Sequence, residues 1–76
     1  MKELITFIAT SLVDRPEAVE VGESVQDDAT VFELRVAKED IGKVIGKQGR
    51  TARAIRALLA AAASRENKKA RLEILE

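Results

Sequence analysis

The 76-residue chain contains no cysteine and no histidine. A disulfide framework is therefore excluded, and a zinc site would have to be built from carboxylates alone, a poor donor set for that ion. The same absence removes the side chains most used as nucleophile and general base near neutral pH, and Ser11, Ser24 and Ser64 have no evident base to activate them. Aromatic residues are almost missing as well: Phe7 and Phe32 are the two present. Aliphatic residues and alanines must fill the core, and little surface is available for stacking on a nucleobase. No apolar run approaches the roughly 20 residues that a membrane-spanning helix needs. The start of the chain carries Lys2 and Glu3, and its short apolar stretch ends before Asp14 and Arg15. It reads as neither a signal peptide nor a membrane anchor, so the expectation is a cytoplasmic protein.

Charge of one sign is also lacking in total, with 13 basic and 13 acidic side chains. The sum conceals a polarised chain. Residues 1–37 carry three basic and eight acidic groups. Residues 38–56 carry Lys38, Lys43, Lys47, Arg50, Arg53 and Arg56 against only Glu39 and Asp40. Positive charge is thus gathered in one short stretch, while the acidic half reads as a solvated face that would repel a polyanion.

At this length one domain with a thin core is expected, spanning residues 1–76. Leu4, Ile5, Ile8, Leu12 and Val13 recur at helical spacing, which predicts a helix over 2–13 whose buried face they form, ended by Pro16. Val19, Val21 and Val25 predict a strand with a bulge at Gly22. Asp27 to Ala29 suits a turn, and Phe32, Leu34 and Val36 alternate with charges as a half-buried strand, so the pair reads as an antiparallel hairpin. A short helix is predicted over Lys38–Ile45, stopped by Gly46, and a longer one from Arg50 to about Arg65 with Ala52, Ile55, Leu58, Leu59 and Ala62 on its apolar face. A last strand is predicted over Arg71–Glu76. The order helix, strand, strand, helix, helix, strand gives an α+β sandwich, a three-stranded sheet with helices on one face.

The segment between the last two helices carries the chemistry. Gly46, Lys47, Gln48 and Gly49 form a loop in which two glycines permit backbone angles that a tight helix-to-helix turn requires. They also remove side-chain atoms that would hold a phosphate away from the main chain. The following helix opens with amide groups lacking intrahelical partners, at the positive end of its dipole. Lys43, Lys47, Arg50, Arg53 and Arg56 spread charge over both helices, which suits a run of phosphates. A groove between those cations and Ile41, Val44 and Ile45 would hold unpaired bases. The loop lacks the Gly-Lys-Ser/Thr ending of a nucleotide-hydrolysing P-loop.

The run Val44-Ile45-Gly46-Lys47-Gln48-Gly49-Arg50, followed by Ile55, resembles the signature of KH domains, and the element order is similar to the type II arrangement of that family. With the motif embedded in a chain of this size, the sequence resembles the KhpA family of small stand-alone bacterial KH proteins. The resemblance implies a loop, Gly46 to Gly49, that clamps about four nucleotides of single-stranded RNA. It implies that Ile41, Val44 and Ile45 line or support the groove and that Arg50 and Arg53 flank the phosphates. It further implies no cofactor and no catalysis, RNA-chaperone activity with a larger KH partner of the KhpB type, and an influence on cell-wall synthesis and cell length.

The residues leave a second reading open. The alanine run Ala60–Ala63 provides helix propensity, but small side chains also admit a second helix, so a dimerisation module with weak RNA affinity stands beside the RNA-binding one. Arg56 is as free to pair with Glu39 as to meet RNA.

Overall fold

The computed structural model describes residues 1–75. It contains helix α1 (Lys2–Leu12), strands β1 (Glu20–Gln26) and β2 (Ala29–Arg35), a short helix α2 (Ile41–Ile45), a long helix α3 (Arg50–Arg65) and strand β3 (Lys69–Leu75). Single 3-10 turns occupy Pro16–Ala18, Lys38–Asp40 and Lys47–Gly49. The expected order is found. The last strand begins two residues earlier than expected, and its expected final residue, Glu76, lies outside the described residues.

β2 is the central strand, antiparallel to β1 and parallel to β3. The hairpin between β1 and β2 closes through Asp27 and Asp28, both at positive φ (49° and 65°). Two left-handed residues in a two-residue loop make a type I′ turn, whose twist matches that of the strands. The bulge expected at Gly22 is absent: Gly22 pairs directly with Glu33, and the register runs unbroken from Glu20 to Gln26. The weak alternation there reflects polar residues on an edge strand, not an inserted one.

Alternation along the strands turns Val21, Phe32, Leu34, Leu72 and Ile74 toward the helices. There they meet Ile5 and Ala9 of α1, Val44 of α2, and Ile55 and Leu59 of α3. Two expectations about the helices need correction. Leu12 and Leu58, expected to be buried, are 39% and 53% exposed. Ile5 in α1 and Ala52, Ile55 and Leu59 in α3 are buried as expected, and the stripes are completed by Ala9 and Ala63. Alanines let the helix axes approach the sheet closely, so the contact line follows the small residues and leaves Leu58 on the flank. Of the two aromatics, Phe32 is buried while Phe7 is 69% exposed.

Asp40 is the one buried charged side chain among the described residues, only 1% exposed. Its carboxylate accepts the backbone N–H groups of Asp14 (3.3 Å) and Arg15 (3.1 Å), and Lys43 Nζ lies 3.4 Å away. The extended residues after α1 would otherwise leave those amides without a partner. One carboxylate therefore fastens the exit of α1 to the head of α2, and so sets where α2 delivers the loop that follows it.

Burial pushes the Asp40 carboxyl up, but the two backbone donors and Lys43 outweigh it and leave its pKa below the ordinary value. Its contribution to stability is therefore complete above the unfolded pKa of about 3.9 and is lost as pH falls through the lower folded value. Urea midpoints should hold steady from pH 7 to 5 and drop below about pH 4. Asp40→Asn should be less stable at pH 7 and lose less on acidification. An acid slope identical to that of the wild type would show that Asp40 does not carry this linkage.

Candidate nucleic-acid interface

α2 ends at Ile45, and the chain turns through Gly46 (φ 77°, ψ 171°), Lys47, Gln48 (φ 57°, ψ 26°) and Gly49 (φ 73°, ψ 14°) before α3 begins. Backbone bonds brace the turn, from Gly46 N–H to the Gly42 carbonyl (2.8 Å) and from Gly49 N–H to the Gly46 carbonyl (3.1 Å). The two glycines are needed for different reasons. A Cβ on Gly46 would sit 2.2 Å from Thr51 Oγ1 and 2.9 Å from Thr51 N. Side chain and backbone of Thr51 both forbid it, so Gly46 is fixed by internal closure. At Gly49 the left-handed φ favours glycine, yet a Cβ there would meet nothing within 4 Å. That open space lies directly over the start of α3, and no side chain caps the helix. The Arg50 N–H is taken by the Lys47 carbonyl, so this end of the helix offers an anion mainly the positive end of its dipole.

Gln48 holds a left-handed conformation that non-glycine residues seldom adopt. Arg53, one turn into α3, donates from Nη2 to the Gln48 carbonyl at 3.0 Å and props the loop. Arg53 therefore combines a structural bond with a charge at the rim. Lys47 and Arg50 are exposed and form no ion pair among the described residues.

Beside the loop runs a groove of about 470 Å³ between α3 and β3. Ile45, Ala52 and Ile74 give it an apolar floor; Gln48 and Gly49 come from the loop, and Arg53 and Arg56 form its basic wall. Of the residues picked out in the sequence, Ile45, Gln48, Gly49, Arg53 and Arg56 meet here, whereas Gly46, Lys47 and Arg50 are not part of the lining. Val44 is wholly buried in the core, so it supports the fold without touching a ligand. Ile41 lines a separate cavity with Arg35, Val36 and Lys38.

Lys43 is not gathered into the groove. Its ammonium is hydrogen-bonded to Asp14 and faces Asp40, and these contacts, the Asp14 bond foremost, raise its pKa. A cation paired in this way is not free for phosphate. Glu39 pairs with Arg15 at 3.3 Å, which leaves Arg56 free of it; a hydrogen bond from its own backbone N–H first, and the Arg15 hydrogen bond second, hold the Glu39 carboxyl below its ordinary pKa. Arg56 instead directs Nε at the Leu72 carbonyl of β3, a long 3.4 Å contact. Ala52 and Ile74 were not singled out in the sequence as groove residues. Ala52 follows Gly49 by three positions, a spacing that brings it onto the same side of the first turn. Nothing in the sequence marked Ile74, since its role depends on which edge of the sheet β3 occupies.

Comparison with known proteins places the chain in a family. Residues 2–74 match the family described as KhpA/KhpB, KH domain. The chain is 56% identical over 75 residues to the RNA-binding protein KhpA of Clostridium perfringens, an alignment covering 99% of this chain and all of that one. It is 54% identical over 76 residues to the RNA-binding protein KhpA of Chlamydia muridarum, covering the whole of this chain and 97% of that one. A crystal structure of Aquifex aeolicus Era bound to GDP.AlF4- superimposes with a TM-score of 0.66 at 19% identity, over 96% of this chain and 28% of the Era chain, a likeness of fold alone. The chain belongs to the KhpA/KhpB KH-domain family, and its α+β architecture is the type II KH fold.

The two loop glycines should respond differently to substitution. Gly49→Ala meets only the left-handed backbone penalty, about 1–2 kcal/mol. Gly46→Ala adds overlap with Thr51 and should be distinctly more destabilising in urea unfolding. Equal losses would mean that the contact with Thr51 relaxes freely.

Proposed function

We propose that residues 1–76 act as one KH domain that binds single-stranded RNA in the groove bounded by the Gly46–Gly49 loop, α3 and β3, without catalysing a reaction. The observation that carries this reading is the open space over Gly49, set between unpaired cations and an apolar floor at an uncapped helix start. The names of the KhpA relatives support RNA as the ligand. Phosphates lie against Lys47, Arg50 and the positive end of the α3 dipole, and bases rest on Ile45, Ala52 and Ile74 with their edges free. A groove without aromatics binds weakly and with little sequence discrimination. Single-stranded RNA is the class of ligand whose unstacked bases this shape accepts. RNA-chaperone activity in the cytoplasm with a larger, KhpB-like KH partner, and an influence on cell-wall synthesis and cell length, extend the proposal on the family resemblance.

Fluorescence anisotropy with a short unstructured RNA tests the site. The wild type should bind with a logarithmic salt slope of about −2, corresponding to roughly three phosphate contacts at about −0.7 each. Lys47→Asp/Gln48→Asp should fold, as read by circular dichroism, and bind at least about tenfold more weakly. Undiminished affinity in the folded variant would remove the loop from the mechanism.

A second reading rests on α3. Leu58 is 53% exposed, with Ala54, Ala57 and Ala61 also exposed on the same helix. Such a surface suits close approach of another helix, from a second copy of this chain or from a larger KH partner. Sedimentation should show concentration-dependent association of the wild type that Leu58→Lys abolishes while RNA affinity per chain persists. A strict monomer at high concentration would exclude self-association.

A further inference from the structure

The acidic part of the chain folds into a sheet edge of its own. β1 pairs only with β2, so one side of it is free, at the edge opposite the α3–β3 groove. The hairpin turn fixes what that free side presents. A two-residue loop closes on a hydrogen-bonded pair, here Gln26 with Ala29, and along an antiparallel ladder bonded and non-bonded pairs alternate. Gln26, Ser24, Gly22 and Glu20 therefore aim their backbone groups at β2, while Val25, Glu23 and Val21 aim theirs outward. Among the described residues no backbone bond outside the sheet reaches those three. The strand is seven residues long and unbulged, and it contains neither proline nor lysine, common devices for closing an edge to pairing.

We propose that β1 takes up an extended, basic peptide segment of another protein as a fourth strand of the sheet. The outward N–H and C=O groups supply main-chain bonds of the kind by which sheet edges capture peptides. Charge selects the occupant. Between Arg15 and Arg35 the chain has no basic side chain. Glu20, Glu23, Asp27, Asp28 and Glu33 form no ion pair among the described residues. These carboxylates stand on both faces of the strand pair. Glu23 shares the helix side with Val21 and Val25, the latter 73% exposed, while Glu20 and Glu33 lie on the bare side. Gly22 leaves room for Glu33 to lean toward the edge, its Oε1 lying 3.5 Å from where a Gly22 Cβ would stand. The matching strand thus alternates apolar, basic, apolar on the helix side and carries lysine or arginine opposite Gly22 on the other. RNA, a polyanion, is repelled from this edge, and a second copy of the chain would bring two sets of these carboxylates together. A cationic strand meets neither obstacle. Groove and β1 lie at opposite edges, so a strand held here leaves the RNA site open.

The probe is a synthetic peptide, acetyl-Thr-Val-Thr-Lys-Lys-Val-Lys-amide, with a control in which glutamate replaces each lysine. Amide hydrogen exchange of the full chain reads the geometry. In the free protein the Val21, Glu23 and Val25 amides should exchange quickly and those of Gly22 and Ser24 slowly. Millimolar lysine peptide should slow the first three by about tenfold, and the glutamate peptide should leave all of them unchanged. Glu20→Lys/Glu23→Lys should reverse the preference, taking the glutamate peptide and binding the lysine peptide at least about fivefold more weakly. Val25→Pro removes an outward N–H that the β1–β2 ladder does not use, so it should fold and lose lysine-peptide binding several-fold. Should that variant not fold, the charge-reversed chain decides alone. Absence of protection at Val21, Glu23 and Val25 under millimolar lysine peptide would overturn the proposal, as would equal binding of that peptide by the charge-reversed chain. Protection of the same amides that rises with protein concentration, without peptide, would assign the edge to a second copy and overturn it as well.

Discussion

Parallel pairing of β2 with β3 obliges the chain to leave one end of the sheet and return to the other before it can pair again. The whole of α2, the loop and α3 serves that return. With helices on one face only, α2 and α3 must reverse direction within four residues, close enough that Gly46 touches Thr51 with no room for a Cβ. That closeness expels the rest of the loop: Lys47, Gln48 and Gly49 cannot fold back on the helices and project outward. The exposed turn is thus a consequence of crossover geometry. The same crossover leaves β3 as a free edge beside α3, and the groove lies between them.

A chain with no net charge can still present a basic groove because none of the described carboxylates lies within salt-bridge distance of the loop and groove cations. Asp14 and Asp40 hold Lys43, and Glu17 and Glu39 hold Arg15. Both clusters lie at the junction of α1 with α2, away from the groove. Among the described residues Lys47, Arg50, Arg53 and Arg56 have no carboxylate within salt-bridge distance. Coulomb interactions between exposed groups fade over about 8–10 Å at ordinary ionic strength. A ligand at the loop therefore meets the local cations and is little affected by the acidic residues of β1. The distribution of partners matters more here than the sum of charges.

This distinction also explains what could be read from the sequence. α3, the β1–β2 hairpin and the loop rest on local signals: helical spacing, two aspartates at a turn, two glycines between helices. Those were legible. The engagement of Lys43 was not, because one partner, Asp14, lies 29 residues away, and spacing on its own element made Lys43 look like one more groove cation. The burial of Ala63 in place of Leu58 was hidden for a related reason. Hydrophobicity ranks leucine above alanine, whereas the distance between helix and sheet decides which of them fits. Ile74 was recognisable as a strand residue, but its place in the groove follows only from the order of strands, which no local pattern encodes.

Arg53 and Arg56 show how a small domain without aromatics can still hold a shaped groove. Free arginines at this edge would be mobile, and ordering their long side chains on binding would offset much of the gain from contact. Each is tied to a backbone carbonyl instead, Arg53 to Gln48 and Arg56 to Leu72. The bonds cost the groove some donor capacity. In return the loop keeps the left-handed Gln48 in place, and both guanidinium groups stand ready before any ligand arrives. A core of this size cannot supply much rigidity by burial alone. Rigidity where recognition occurs comes from two side chains that bridge loop, helix and sheet edge.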